Sequence, residues 1–355
     1  MRNRKIVYAL VAVGALMAVS AVQSRRLAVY RWQRLPEASA MYSADVPPAL
    51  TFVMAGLGGF RGIVSEVLWF RIARLQEETR YLELVQLADW ITRLDPHASE
   101  GWVYNAWNLA YNISVMMVRH EDRLRWVQNG ISLLRDEGLR FNPRDARLYR
   151  ELAWMYQNKI GDVLDNAHLT YKFHLLETMM PCVNPDGTLN VEAEATAARL
   201  AEFRMDAERM LGLERRFGPL DWRMPETHAL YWAEQGVACA VGNERMMCRR
   251  AVYQPLMLSV FRGRFTGSLA ERAWRTEPNL ALAIPTAEYM LLALSEHPTA
   301  NQTLITLRYL AMAVRLLSET GQGDAAQQIY RHLTTVMPPP YPAPTFEEVL
   351  KGWNP

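Results

Sequence analysis

The chain of 355 residues has little cysteine, little glycine and almost no net charge, and each shortage excludes a class of protein. Only Cys182, Cys239 and Cys248 are present. An odd number with no Cys-x-x-Cys pair argues against a disulfide framework or a zinc site, so the three read as small core residues. Nineteen glycines stand against 18 methionines, 15 tyrosines and 11 tryptophans. That balance suits long helices packed with large side chains better than a turn-rich β protein. Lysine plus arginine number 39 and aspartate plus glutamate 37, a net charge of +2. A dedicated nucleic-acid binder carries a clear basic excess, so no nucleic acid is expected as a partner. The small clusters Arg249-Arg250 and Arg262 with Arg264 do not change that.

Catalytic signatures are missing as well. There is no Gly-x-Ser-x-Gly, no His-Glu-x-x-His and no dinucleotide fingerprint. The stretch Ala55-Gly56-Leu57-Gly58-Gly59-Phe60-Arg61-Gly62 superficially suggests a phosphate loop, but no Lys-Ser or Lys-Thr follows it and no strand precedes it. It reads as a tight entry turn. We therefore expect no catalytic residues and no cofactor.

Long apolar runs are scarce too: there is one. Ile6 to Val22 follows Arg2, Arg4 and Lys5 and is closed by Arg25 and Arg26, with Tyr30 and Trp32 beyond. Such a run, about 25 Å long as a helix, with basic and aromatic flanks, is expected to anchor the chain once in the inner (cytoplasmic) membrane. The rival is a signal peptide cut after Ala21, which the following arginines disfavour. Basic residues flank both ends of the run and leave the orientation open; the short N-terminal tail favours the bulk of the chain lying outside the cytoplasm. Residues 1–26 are thus the anchor, and the proline-bearing stretch 27–50 is a linker.

From Ile63 onward apolar residues recur at spacings of three and four, as in Val64, Val67, Leu68, Ile72 and Leu75, then Leu84, Leu87, Ala88, Ile91 and Leu94. No run alternates with period two, so an all-α fold without strands is predicted. Proline punctuates the helices. Pro96 is followed six residues later by Trp102, then Ala106 and Leu109; Pro143 is followed six residues later by Tyr149, then Leu152, Ala153 and Tyr156. These patterns, and the junction Asn142-Pro143-Arg144-Asp145-Ala146-Arg147-Leu148-Tyr149, resemble the tetratricopeptide-repeat superfamily. A third such unit is Leu310, Ala313 and Leu317, a turn at Gly321 and Gly323, then Ala326, Tyr330, Leu333 and a closing Pro338. The blocks Leu57 to Gly62, Leu84 to Ile91 and Trp107 to Asn112 are also similar to bacterial membrane-anchored proteins with these repeats.

The resemblance covers about half of the chain in an irregular array, since Pro96 and Pro143 lie 47 residues apart, well above the usual repeat of about 34. It implies a right-handed superhelix of antiparallel helical hairpins and no particular activity. Hairpins are predicted at 63–95, 99–136 and 146–178. The domain scheme is TPR-like hairpins over 51–178, an irregular helical insertion over 179–224, further hairpins over 225–340, and a proline-rich tail over 341–355.

In such arrays polar residues of the first helices line a concave groove that grips a protein or peptide. Asn105, Asn108 and Asn112 fall on one helical face, with Tyr104 and Tyr111 beside them; these five are the candidate partner-binding residues. A second candidate is a pocket near residues 215–232 built from Asp221, Trp222, Arg223, Glu226, His228 and Trp232. It would belong to the alternative function, an envelope enzyme or an accessory subunit of a transport or glycan-assembly complex. Glu226 and His228 are two apart on a helix and point in different directions, which disfavours an acid/base pair. Asp162, Asp165, His168 and His174 carry metal-ligand side chains, but they read as a solvated acidic helix face, so no metal is expected. Cys239 and Cys248 flank a predicted turn at Val241 to Glu244, where a hairpin would set them near each other. The leading reading is a membrane-anchored scaffold for protein–protein interaction at the cell envelope.

Overall fold

The structure is a computed structural model that describes residues 61–337 and 342–355, together with Val19, Val22 and Gln23. The linker 27–50, Pro338 and all but two residues of the predicted anchor at 6–22 lie outside the described residues. None of the described helices is long and apolar enough to cross a membrane.

The first helical pair is α1 (Arg61–Glu77) and α2 (Tyr81–Leu94), joined by a three-residue turn in which Thr79 takes a positive φ of 56°. Ile72 and Leu75 of α1 meet Leu84, Ala88 and Ile91 of α2 in a small core of their own. Next come α3 (99–116) and α4 (120–141), then α5 (146–160) and α6 (His168–Met179). Helices therefore stop before Pro96 and Pro143 and restart just after them, as a ring that removes the N–H donor and disfavours helix in its predecessor requires.

Both prolines have a further use. The Trp102 indole N–H donates to the Pro96 carbonyl (2.9 Å) and the Tyr149 hydroxyl to the Pro143 carbonyl (3.0 Å). Each aromatic thus ties its helix to the preceding junction, and each also packs on a later element: Trp102 stacks on Phe141, Tyr149 on Trp232. Ala106 and Ala153, the small residues of the pattern, are buried. Close approach needs a glycine as well. A Cβ on Gly130 of α4 would stand 2.7 Å from the Ala106 carbonyl oxygen of α3.

Helices α3, α4 and α5 share a feature absent from the sequence pattern. Each contains a six-residue π-helical turn: Asn108–Ile113, Leu133–Gly138 and Met155–Ile160. The first and third start 47 residues apart, the same interval that separates the two prolines. Units two and three thus repeat the junction tether and the irregular turn alike.

The middle of the chain holds α7 (Glu194–Phe203) and α8 (Ala207–Phe217), each preceded by extended backbone. Then α9 (Pro225–Cys239) and α10 (Gly242–Arg262) form the most extensive helical pair, with α9 seated against α5. Helices α11 (Ala283–Glu296), α12 (Ala300–Glu319), α13 (Gly323–Val336) and the short α14 (Phe346–Leu350) complete the order. In the α12–α13 pair Leu310, Ala313, Leu317, Ala326 and Leu333 are all buried and Tyr330 is half-buried, the placement their spacing predicts.

Two expectations are corrected. The prediction of no strands misses a two-stranded antiparallel ribbon, β1 (Arg264–Phe265) paired with β2 (Thr276–Glu277). Strands of two residues are too short to show any alternation. The expected solvated face at Asp162–His168 is also wrong at its centre: Asp165 is buried in an ion cluster. The three cysteines are free thiols, and burial pushes the Cys248 thiol up to about 12.

Candidate functional site

The first helices of the three leading pairs, α1, α3 and α5, face a common cleft of about 520 Å³. Trp69 and Gln76 come from α1, Tyr104, Trp107, Asn108 and Asn112 from α3, and Arg147 and Glu151 from α5. Ring packing and hydrogen bonds order its walls. Trp69 meets Tyr104 edge-on at 5.2 Å, and the Tyr104 hydroxyl donates to Gln76 Oε1 (2.7 Å). Asn108 Nδ2 donates to the Tyr104 carbonyl (2.9 Å), and Asn112 Nδ2 donates to Asn108 Oδ1. The Trp107 indole N–H donates to Glu151 Oε2 (3.0 Å), and Arg147 donates to Glu100 (2.9 Å).

Three of the five candidate partner-binding residues, Tyr104, Asn108 and Asn112, therefore share one cleft. The other two do not. Asn105 lines a separate cleft of about 530 Å³ with Gln86, Asn129 and Asp136, and its buried Oδ1 has no hydrogen-bond partner among the described residues. Tyr111 stacks on Trp107 at 4.5 Å, receives the Lys159 ammonium over its ring, and is raised in pKa by burial. The π turn explains the split. It winds more slowly than an α turn, so Asn112 swings back under Tyr104 and Asn108 and away from Asn105. The three-and-four spacing that groups the asparagines holds only for an unbroken α-helix.

A second cleft of about 590 Å³ adjoins the first, and Trp107 and Glu151 line both. Its walls are Arg150, Trp154 and Gln157 of α5, Met246, Met247 and Arg250 of α10, and Asn301 and Gln302 at the start of α12. Trp154, Met246 and Met247 are all exposed. Arg150 pairs with Glu244 and Glu151, while the Tyr253 hydroxyl donates to Gln302 Oε1 (2.8 Å). The joined clefts form a groove with aromatic and thioether surface, carboxamides and both signs of charge. The α10 side of it was not anticipated, because its residues lie about a hundred positions from α5 and share no local pattern with it.

No protein-family model matches this chain, and no characterised protein matches it.

The six residues of the expected pocket near 215–232 are brought together, but inside the core. Asp221, Trp222, Arg223, Glu226, His228 and Trp232 are all buried, and none of them lines either cleft of the groove. Asp221 is held by the Arg223 guanidinium through two bonds (2.8 and 2.7 Å) and by the Phe265 backbone N–H (2.9 Å), so it pins the β ribbon to the start of α9. A Cβ on Gly187 would strike the Asp221 carboxylate, and only glycine suits its φ of 90°. The His228 Nε2–H donates to the Trp222 carbonyl (2.9 Å) and the ring stacks on Tyr156, while burial lowers its pKa to about 4. It is neutral at pH 7 and has no access to solvent. Glu226 bonds Arg262 through Oε1 (3.1 Å); its Oε2 has no partner among the described residues, and burial raises its pKa.

Of the four candidate metal ligands, Asp165 enters an ion cluster, while Asp162 bonds the Val163 backbone N–H and His168 lies against Lys172. Asp165 accepts from Lys159 (2.6 Å), the Ala167 backbone N–H (2.9 Å), Tyr171 (3.0 Å) and Arg123 (3.1 Å). Its lone pairs are fully used. His174 lies apart, against Gln128 (2.7 Å). Among the described residues no group of three or more His, Cys, Asp and Glu side chains is placed to hold a metal ion.

Proposed function

We propose that this chain is a membrane-anchored, TPR-like scaffold that binds an extended segment of a protein in the groove along α1, α3, α5, α10 and α12. Residues 6–22 hold it in the inner membrane and the helical body lies outside the cytoplasm. The observation that carries this reading is the continuity of the two clefts at Trp107 and Glu151, which gives a wall built from the first helices of three successive pairs. Carboxamides such as Asn112, Gln157 and Asn301 offer donors and acceptors to a peptide backbone. Trp154, Met246 and Met247 offer apolar surface to its side chains; tryptophan dominates binding hot spots and methionine adapts to varied partners. A peptide already extended along such a wall aligns with several helices at once, which suits an array better than a small-molecule cavity does.

The test is affinity capture from detergent extracts with three forms of the full chain. The wild type and a Gln327→Ala control, altered at an exposed site on α13 away from the groove, should retain the same co-purifying protein. Trp154→Ala combined with Asn112→Ala should lose it by more than about tenfold. Equal recovery by all three forms would end the groove assignment.

A further inference from the structure

We propose that the tips of the second and third helical pairs, α3–α4 and α5–α6, enter the bilayer that the N-terminal anchor occupies. The inference rests on the anchor reading and extends it to the orientation of the helical body. Its starting point is six exposed apolar side chains: Val115, Met116 and Val118 before α4, and Val163, Leu164 and Leu169 around the start of α6. Val118 is 91% exposed, Leu164 74% and Val163 65%. Single exposed apolar residues need no explanation, but a cluster on one edge marks an interaction surface.

The two loops are not loose. Arg123 of α4 donates through Nε to the Met117 carbonyl in the first loop (2.7 Å). Through Nη1 it donates to Asp165 (3.1 Å) and Asn166 (2.6 Å) in the second. Asp165 is itself locked by Lys159 and Tyr171. One arginine thus holds the loops side by side, and the buried ions behind them fix the backbone from which the six side chains protrude. A loop free to move would fold such side chains back against the protein. These are held out.

Their chemistry selects the occupant. All six are valine, leucine or methionine, with no hydrogen-bonding donor and no aromatic ring, and none of them lines the clefts described above. Protein-binding hot spots favour tryptophan, tyrosine and arginine in recessed surfaces; hydrocarbon asks only for apolar surface on something that can reach it. The nearby charges are mixed, Arg119 and Arg125 against Glu121, Asp122 and Asp162, with Arg119 near Glu121, Arg125 near Asp122 and Asp162 accepting from the Val163 backbone N–H. The attraction therefore owes nothing to anionic headgroups. The chain between Val22 and Arg61 is long enough to let the body reach the surface, at about 3.5 Å per extended residue. A tethered body meets that surface at high effective concentration, so shallow insertion suffices.

The experiment uses the full chain reconstituted in phosphatidylcholine vesicles that contain a phospholipid with a photoactivatable diazirine in its acyl chain. After illumination, adducts are mapped by mass spectrometry. Adducts are expected on the segments 114–119 and 161–169 as well as on 6–22. Val118→Asp with Leu164→Asp, both at exposed positions, should cut the loop adducts at least about fivefold and leave those at 6–22 unchanged. A melting curve equal to that of the wild type shows that the variant is folded. Adducts confined to 6–22 would overturn the inference and leave the anchor standing. Cross-links from the loops to a second copy or to another protein, without lipid adducts, would overturn it in favour of a protein interface. If 6–22 carries no adduct, the anchor reading fails, and adducts on the two loops still decide whether they touch lipid.

Discussion

Asp165 shows what one buried carboxylate does in this protein. Burial alone would raise its pKa, but Lys159, the Ala167 N–H and Tyr171 outweigh burial and hold it at about 2. A folded value below the ordinary 3.8 means that its contribution is complete above about pH 4 and is lost as pH falls through about 2, roughly 2 kcal/mol in all. Asp165→Asn should remove that acid dependence. It should also cost about 3–5 kcal/mol at neutral pH, because Lys159 is left buried without a counter-charge; urea denaturation from pH 7 to pH 2 measures both. His228 acts in a higher window. Its pKa is depressed to about 4 by burial, so the fold is favoured above the ordinary histidine value near 6.5 and loses about 3 kcal/mol as pH drops from there to about 4. His228→Gln should flatten the stability profile between pH 6.5 and 4 relative to the wild type. An unchanged slope would mean that the ring gains solvent when it protonates.

At the scale of elements, the contact between α3 and α4 depends on missing side-chain volume. Gly130→Ala puts a methyl group against the Ala106 carbonyl, and Ala106→Leu or Ala153→Leu overfills positions that are closed to solvent. Each should cost about 1–3 kcal/mol, read as a lower midpoint in thermal or chemical unfolding; Ala153→Leu with no shift would contradict the close packing of α5. The breaks at Pro96 and Pro143 and the roles of Trp102, Tyr149, Ala106 and Ala153 were legible in the sequence because each follows from local backbone rules or from a fixed offset along one helix. The groove was only half legible. Helical spacing groups Asn108 and Asn112 with Asn105, and Tyr104 and Tyr111 enter as flanking rings; Asn105 and Tyr111 fall outside the cleft because no residue type announces a π turn. Asp165 was misjudged for another reason: its partner Arg123 is 42 residues away, and burial of an ion pair depends on a helix contact that periodicity does not encode. The core position of Asp221 to Trp232 was hidden likewise, since a dense run of charge and tryptophan reads equally as a pocket or as a packed seam.

The whole molecule combines a helical body with a sequence that begins in a basic-flanked apolar run. Full-length protein is expected to sediment with membranes and to resist extraction by high salt and carbonate. A form starting near Pro36 should stay in the supernatant. Full-length protein in the supernatant at its unprocessed mass would contradict the anchor, and a chain shortened by about 21 residues would show cleavage instead. The irregular interval between Pro96 and Pro143 also belongs to this scale. Long helices carrying π turns fill the 47-residue interval, and the same aromatic-to-proline-carbonyl tether recurs at both junctions.

Those π turns hold spare chain. Each accommodates one residue more than an α-helix needs over the same rise, and the segments before and after it keep their phase. A single-residue deletion inside Asn108–Ile113 lets α3 close into plain α-helix while Trp102 and Ala106 stay seated. Elsewhere in α3 the same deletion would rotate everything beyond it by about 100° and unseat a whole face. Helix α3 thus has one place where length itself is adjustable, and that place lies in the groove wall beside Asn108 and Asn112. Changes in chain length, and not only in side chains, are therefore a route by which such a groove alters its shape without disturbing the array that carries it.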